Sequence, residues 1–436
     1  MRTHVQSAAE TGGEAAAAAV EAAGVAARSA AGSLRDAPAD GLDEALRLIA
    51  RRLGERAASV LAANADDVRA ARKEGLAEAF VDRLTLDERR VDTMASQLHV
   101  LAAIPVPPAA AVVRDLPEGL QLQEWRRPVG VIGANFEARP NVVVDVASQL
   151  IKSRNAGVLR TGSSAIASAA VLVDEVVAPA MAAAGLDPAA IQLLRVPGHE
   201  VAFALVRQPG LIPLVILRGS GDSTRALAHE AALHGVRTLA HADGGAVIYV
   251  DQSADLGLAL ELIEASLDRL GVCNRLNLLL VHRARWDDAV PQVTTLAGKL
   301  GVAVSLPPHG HPLGHEWALD AGAEATITIA PADDAQDAAE IANRETSGLA
   351  ASIVTANAVA ARRFLDSYSG TGAFWNSTPR LLDGFKLLSV PETGINIDVV
   401  PGPRGPVTFR DLHLRQYVVV PAGTALADEP GRRQAG

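Results

Sequence analysis

From residue 129 onward, short apolar runs alternate with helix-like segments, and this alternation constrains the fold more than any other feature of the chain. Gly130-Val131-Ile132-Gly133 reads as the end of a buried strand, and the spacing predicts a helix over 142–153. Gly157-Val158-Leu159-Arg160 is a short strand, followed by Thr161-Gly162-Ser163-Ser164 and a helix to about residue 184. Further strands are expected at 191–196, 214–217 and 246–250, with helices between them. Strands separated by helices form a mostly parallel sheet covered on both faces, and such sheets bind ligands at the carboxyl ends of their strands. A second unit, 251–380, repeats the alternation. Residues 41–103 read as helices, with Leu42, Ala45, Leu46, Leu48 and Ile49 at helical spacing. Residues 104–119 contain Pro105, Pro107, Pro108 and Pro117 and are expected to form an irregular connector. Strands are expected at 120–127 and 413–420. No internal repeat is visible.

The length allows two or three domains. A formal net charge of −10 does not suit a nucleic-acid binder. No apolar run is read as reaching the roughly 18–20 residues of a membrane span, and the start lacks a signal-peptide layout. The leader over 1–32 is rich in alanine and is expected to be a disordered or frayed tail. A single cysteine excludes an internal disulfide and fits a reducing cytoplasm.

That cysteine, Cys273, lies in Arg269-Leu270-Gly271-Val272-Cys273-Asn274, between a helix-like run at 256–270 and a strand-like run at 276–281. A thiol on such a turn can face a cleft, where a nearby cation or helix N-terminus favours the thiolate, which attacks acyl carbons and aldehydes. The alternative is a small, inert core residue.

Several strings resemble gamma-glutamyl phosphate reductases (glutamate-5-semialdehyde dehydrogenases) of the aldehyde dehydrogenase superfamily. They include Val81-Asp82-Arg83-Leu84-Thr85-Leu86, Pro128-Val129-Gly130-Val131-Ile132-Gly133 and Glu137-Ala138-Arg139-Pro140-Asn141-Val142. Ile248-Tyr249-Val250-Asp251, Cys273-Asn274 and Arg404-Gly405-Pro406 also match, so the likeness covers roughly residues 30–420. It implies an α/β, aldehyde dehydrogenase-like fold. A dinucleotide-binding domain would span 33–116 and 129–248, and a catalytic domain 249–380. An oligomerisation arm and C-terminal segment would comprise 117–128 and 381–421, with a frayed tail over 422–436. The implied chemistry is reduction of an acyl phosphate to a semialdehyde by NADPH through a cysteine thioester, as in proline biosynthesis. The implied enzyme is a homo-oligomer whose acyl phosphate is channelled from an amino-acid kinase, with no nucleic acid or membrane partner.

The resemblance places Cys273 on the nucleophile and suggests Arg269, Arg139 and Asn274 for substrate binding. An oxyanion needs donors already aimed at it, and the Asn141 side chain and the Cys273 N–H are the candidates. Arg160 follows a strand where a cofactor ribose or phosphate would lie. Ser163 is neutral there, and a carboxylate in its place would repel a 2′-phosphate, so the pair favours NADPH. Gly219 and Ser220, between a strand and a helix, suggest a phosphate cradle, and Glu316 a contact to the nicotinamide ribose. His309, His311 and His315 have spacings compatible with zinc, but their proline-rich setting reads as a loop and no metal site is assigned.

The chain departs from the family's pattern at Asp222, Asp243 and Asp268. If these line the pocket, they add negative charge and disfavour glutamate semialdehyde. The alternatives are therefore a paralogous reductase of a different activated carboxylate, or a catalytically silent binding protein. No glutamate is expected at the superfamily's deacylating position near His241.

Overall fold

Apolar alternation from residue 129 becomes two compact units in the computed structural model, which describes residues 2–424 except 77, 138, 220, 242, 270–271, 321 and 399–401. One unit comprises Met1–Ala240, Val390–Gly394 and the chain from Val407; the other comprises His241–Ser389 and Ile395–Pro406.

The first unit opens with five helices: α1 (Arg2–Arg35), α2 (Ala39–Glu55), α3 (Ala57–Lys73), α4 (Glu78–Leu84) and α5 (Glu88–Ala103). The alanine-rich leader is not a frayed tail. Val20, Ala27, Ala30 and Leu34 of α1 are buried, and the helix packs on the sheet strands and the helix Glu200–Leu205. Alanine is the strongest helix former, and its short side chain allows close approach. Burying Val20 and Leu34 adds about 1.5–3 kcal/mol each. The proline-rich connector also contains a strand, β1 (Ala110–Leu116), because its prolines all lie outside that run. It pairs antiparallel with β2 (Leu120–Pro128), which pairs antiparallel with the last strand of the chain, His413–Pro421.

Five more strands form the main sheet of this unit: β3 (Val131–Phe136), β4 (Ala156–Thr161), β5 (Ile191–Leu193), β6 (Leu214–Arg218) and β7 (Arg237–His241). Their spatial order is β5-β4-β3-β6-β7, and β3, β4, β5 and β6 are parallel. Counted from β3 this is the doubly wound order 3-2-1-4-5, with its switch point between β3 and β6. Every residue of β3 and β4 is buried, as a central parallel strand covered by helices requires. The helix α6 (Asn141–Lys152) follows β3 and buries Val142, Val143, Val146 and Leu150. The helical run Ser163–Ala183 is long and apolar enough to cross a membrane, contrary to expectation. Leu172, Val176, Val177, Ala180 and Met181 lie in the core here, so in this fold it is a core helix.

The second unit contains a six-stranded parallel sheet ordered β10-β11-β9-β8-β12-β13. Its strands are β8 (Ala246–Val250), β9 (Leu276–His282), β10 (Ala303–Ser305), β11 (Thr326–Ala332), β12 (Ala350–Val354) and β13 (Gly372–Trp375). The division between the units therefore falls near residue 240 and not at 248: β8 pairs with β9 and β12. The region expected as one C-terminal segment is shared, because 381–389 and 395–406 belong to the second unit. The described residues also include the short strands β14 (Gly394–Asn396) and β15 (Gly405–Val407) and the nine-residue last strand, β16 (His413–Pro421).

Candidate active site

In the second unit, the helix Leu256–Ala265 ends at a turn that carries Cys273 into β9. Backbone bonds hold the turn: Gly245 N–H donates to the Cys273 carbonyl at 2.7 Å, and Leu276 N–H to Ser266 O at 3.0 Å. The residues flanking the thiol are pinned through their side chains. Asn274 Nδ2 donates to Leu382 O at 3.0 Å and to Arg380 O at 3.3 Å, while its Oδ1 accepts from Arg380. Buried Arg275 donates to Thr326 O at 3.0 Å and to Glu324 O. Cys273 itself is half-buried, beside Ala246, Leu349, Ala350 and Leu382. The amide of Asn274 is thus engaged by backbone carbonyls and by Arg380, so Asn274 holds the turn. Arg269 is exposed on the approach to Cys273.

Glu316 reaches the same turn from the loop before β11. Gly244 N–H lies 3.1 Å from each of its carboxylate oxygens. Asn277 straddles it, donating to His315 O at 2.8 Å and accepting from Trp317 N–H at 3.3 Å. Burial raises the Glu316 carboxyl above the usual range; the Gly244 bond opposes this and Asp243 adds to it. Sequence spacing offered no glutamate beside His241, yet the fold brings one within electrostatic reach of it. The histidine loop engages its own neighbours: Ser305 Oγ bonds His309 Nδ1 at 3.2 Å and His311 Nε2 at 2.7 Å, and His315 pairs with Asp320 at 2.7 Å.

In the first unit, Asn141 is the first residue of α6, and its Nδ2 donates to Asp145 Oδ2 at 2.9 Å. Arg139, partly buried, precedes it. Burial pushes the Asp145 carboxyl up to about 6, against the pull of Arg218 and of the Asn141 bond. A carboxyl whose folded value is raised is held more easily as the acid, so its contribution to stability is full below the unfolded value of 3.8 and is lost as pH rises through about 6. Asp145→Asn is therefore expected to raise the melting temperature by a few degrees at pH 7–8, on the order of 1–2 kcal/mol, with the gain vanishing towards pH 4. Calorimetry at the two pH values checks this; an equal shift at both would show that burial of the charge is not its cause.

A cavity of about 470 Å³ opens at the carboxyl ends of β3 and β4 and is lined by Asn135, Glu137, Arg160, Ser163, Ser164 and His199. The β3–β4 register sets Asn135 beside Arg160. Arg160 donates through Nη1 to Asn135 Oδ1 at 3.1 Å and through Nη2 to Gly198 O at 2.9 Å, while its buried Nε has no partner. Each terminal nitrogen thus has one hydrogen engaged and a second left over, and the Nε–H has no partner. The cavity also contains a carboxylate, Glu137, which the reasoning from Ser163 had not anticipated. A side chain at Gly219 would approach Glu137 Oε1 at 3.2 Å and Thr224 Oγ1 at 3.3 Å, so glycine permits this close packing. Ser220 lies outside the described residues.

Two of the three aspartates that suggested a retuned pocket have cationic partners. Asp222 is almost fully exposed and bonds Arg225 at 2.7 Å; Asp268 bonds the largely buried Arg380 at 2.8 Å. The argument for excess pocket charge therefore loses both residues.

The family model for the aldehyde dehydrogenase family matches residues 4–309. The gamma-glutamyl phosphate reductase of Thermobifida fusca (strain YX) is 33% identical over 412 residues, covering 91% of this chain and 96% of that protein. That of Moorella thermoacetica is 33% identical over 414 residues, covering 93% and 98%. The chain belongs to the gamma-glutamyl phosphate reductase branch of the aldehyde dehydrogenase family. A crystal structure of gamma-glutamyl phosphate reductase from Thermotoga maritima superposes with a TM-score of 0.83 at 28% identity, covering 92% of this chain and 98% of that one. An acetylating aldehyde dehydrogenase from Geobacillus thermoglucosidasius shares the fold, with a TM-score of 0.70 at 15% identity, covering 94% and 97%. Enzymes of this family are oxidoreductases that use a nicotinamide cofactor, NAD or NADP. The cavity beside β3 and β4 suits such a group: it lies at the switch point of a doubly wound sheet and holds a buried, unpartnered N–H donor.

Proposed function

We propose that this protein reduces gamma-glutamyl phosphate to glutamate-5-semialdehyde with NADPH, with Cys273 as the nucleophile. The observation that carries the reading is the chain's only cysteine, half-buried on a turn whose flanking side chains, Asn274 and Arg275, are anchored. In the forward direction the Cys273 thiolate attacks the acyl carbon, the bond between that carbon and the bridging phosphate oxygen breaks, and inorganic phosphate leaves with the electron pair. The product is a thioester. Arg160, Ser163 and Ser164 would hold the nicotinamide cofactor, which when bound would supply a hydride for the thioester carbon. The C–S bond then breaks, giving the semialdehyde and regenerating the thiolate. Asn141 and the Cys273 N–H are the donors for the oxyanion that forms in both halves. Arg139 and Arg269 are the cations offered to the anionic substrate. Phosphate accepts or releases the acyl group directly, so no water need be activated.

For the cofactor, Arg160 supplies positive charge and a free Nε–H, with Ser163 and Ser164 as neutral donors. Glu137 faces the same cavity, and Arg160 offsets its repulsion of a 2′-phosphate. Gly219 and Ser220 are assigned to the phosphates and Glu316 to the nicotinamide ribose. The enzyme is placed in the reducing cytoplasm, where a catalytic thiol persists. We also assign the β1-β2-β16 sheet to contact with a second copy. Val112, Val113, Leu414, Tyr417 and Val419 are exposed on it, and both β1 and β16 are sheet edges.

The test is the reverse reaction. The enzyme with glutamate-5-semialdehyde, phosphate and NADP⁺ is expected to form NADPH, with kcat/KM at least about tenfold above that for analogues lacking the α-carboxylate, one cation–carboxylate contact being worth about 1.5–3 kcal/mol. Equal or better use of the neutral or amine-bearing analogues would assign the chain to another activated carboxylate.

A further inference from the structure

We infer that Asp145 is a positioning residue that fixes which end of the Asn141 amide faces the reacting oxygen. The inference deepens the function proposed above and rests on Asn141 being an oxyanion donor. Asn141 and Asp145 are four residues apart on α6, on one face of the helix, and are joined by the Nδ2–Oδ2 bond of 2.9 Å. A primary amide has two orientations of similar shape, differing by exchange of its oxygen and nitrogen. An ionised carboxylate only accepts hydrogen bonds, so Asp145 selects the orientation in which Nδ2 faces it. The second hydrogen on Nδ2 lies in the same amide plane, and its direction is therefore set by the same bond. In the other orientation Asn141 would turn its oxygen towards Asp145, lone pairs against lone pairs, and the donor would be displaced.

The choice of a carboxylate follows from this. An asparagine at 145 would accept from Asn141 or donate to it, leaving two arrangements of similar energy. An apolar residue would select neither. The carboxylate's own charge works against a nearby oxyanion, but Arg218, at the end of β6, faces Asp145 and partly cancels it. Arg218 is itself confined, because its side chain lies against Gly394, where an added Cβ would come within 3.2 Å of its Cδ.

A double-mutant cycle in the semialdehyde, phosphate and NADP⁺ assay tests the inference. Asn141→Ala is expected to lower kcat about 10²-fold, as the loss of one oxyanion donor does. Asp145→Leu is expected to lower kcat roughly 10- to 100-fold with both KM values within about threefold, and Asp145→Asn to lie between it and the parent. The double variant Asn141→Ala/Asp145→Leu is expected to be no slower than Asn141→Ala alone, since Asp145 acts only through Asn141. Melting temperatures well above the assay temperature for all variants separate these losses from unfolding. Parent kcat in Asp145→Leu, or a full second loss in the double variant, overturns the positioning role. Parent kcat in Asn141→Ala removes the donor and the positioning role together, while parent turnover in the same assay leaves the proposed function standing.

Discussion

Cys273→Ser is expected to abolish semialdehyde oxidation and acyl-phosphate reduction, by about 10³-fold or more, while leaving the fold and dinucleotide binding in place. A serine hydroxyl is barely ionised at neutral pH, whereas a thiol needs only a modest fall in its ionisation constant to supply thiolate. The leaving step matters as much as the attack: an oxygen ester holds its acyl group more tightly than a thioester when hydride arrives. The turn does not depend on sulfur. Gly245 donates to the Cys273 carbonyl, and Asn274 and Arg275 anchor the neighbouring residues, so serine inherits the same backbone. The measurements are NADPH formation for turnover and a melting curve for the fold. A variant that turns over at the parent rate removes Cys273 as nucleophile, because no other cysteine exists to replace it.

The parts of the fold that sequence showed best are those where burial is two-sided and continuous. Strands β3, β4, β6, β8 and β9 are short apolar runs bounded by polar or glycine-containing turns, and the expected positions match closely. The helix α1 was missed because its buried face is mostly alanine, which carries little periodic signal, even though Val20 and Leu34 are fully buried. Strand β1 was missed because Val112 and Val113 are exposed and prolines precede the run. Within the site, local context made Cys273 a candidate and the family resemblance singled it out. Its supports could not be found in either way. Glu316 meets Gly244 across a separation of 72 residues, and Asp268 meets Arg380 across 112. Such pairs are set by sheet order and loop path, which no local pattern encodes. Arg160 makes the same point: its place at the end of a strand was legible, but its register partner Asn135, which accepts one of its N–H bonds, was not. The Asn141–Asp145 bond was in principle legible as an i, i+4 pair on a predicted helix.

Gly244→Ala is expected to disable the enzyme almost as thoroughly as loss of an oxyanion donor, without touching any reacting atom. A Cβ at this position would lie 2.6 Å from Glu316 Oε1, 2.8 Å from the Cys273 carbonyl oxygen and 3.0 Å from Cys273 Cα. The carboxylate ends a flexible side chain and can retreat, at the cost of its bond to Gly244 N–H. The Cys273 contacts are backbone and cannot yield without shifting the turn. That turn is held by Gly245, Asn274 and Arg275, so the strain falls on the nucleophile. Overpacking of this kind costs about 1–3 kcal/mol of stability, too little to unfold a large core. A displacement of about 1 Å at the attacking atom lowers kcat by about 10²-fold. The expected signature is thus a fall in kcat with a melting temperature only a few degrees lower, and slower alkylation of Cys273 by a thiolate-selective reagent. Gly245 offers the control, since its φ of +89° makes any substitution there strained regardless of space. If Gly244→Ala keeps the parent kcat and alkylation rate, the turn has room that its contacts deny, and Glu316 is not held against the nucleophile in the way these distances require.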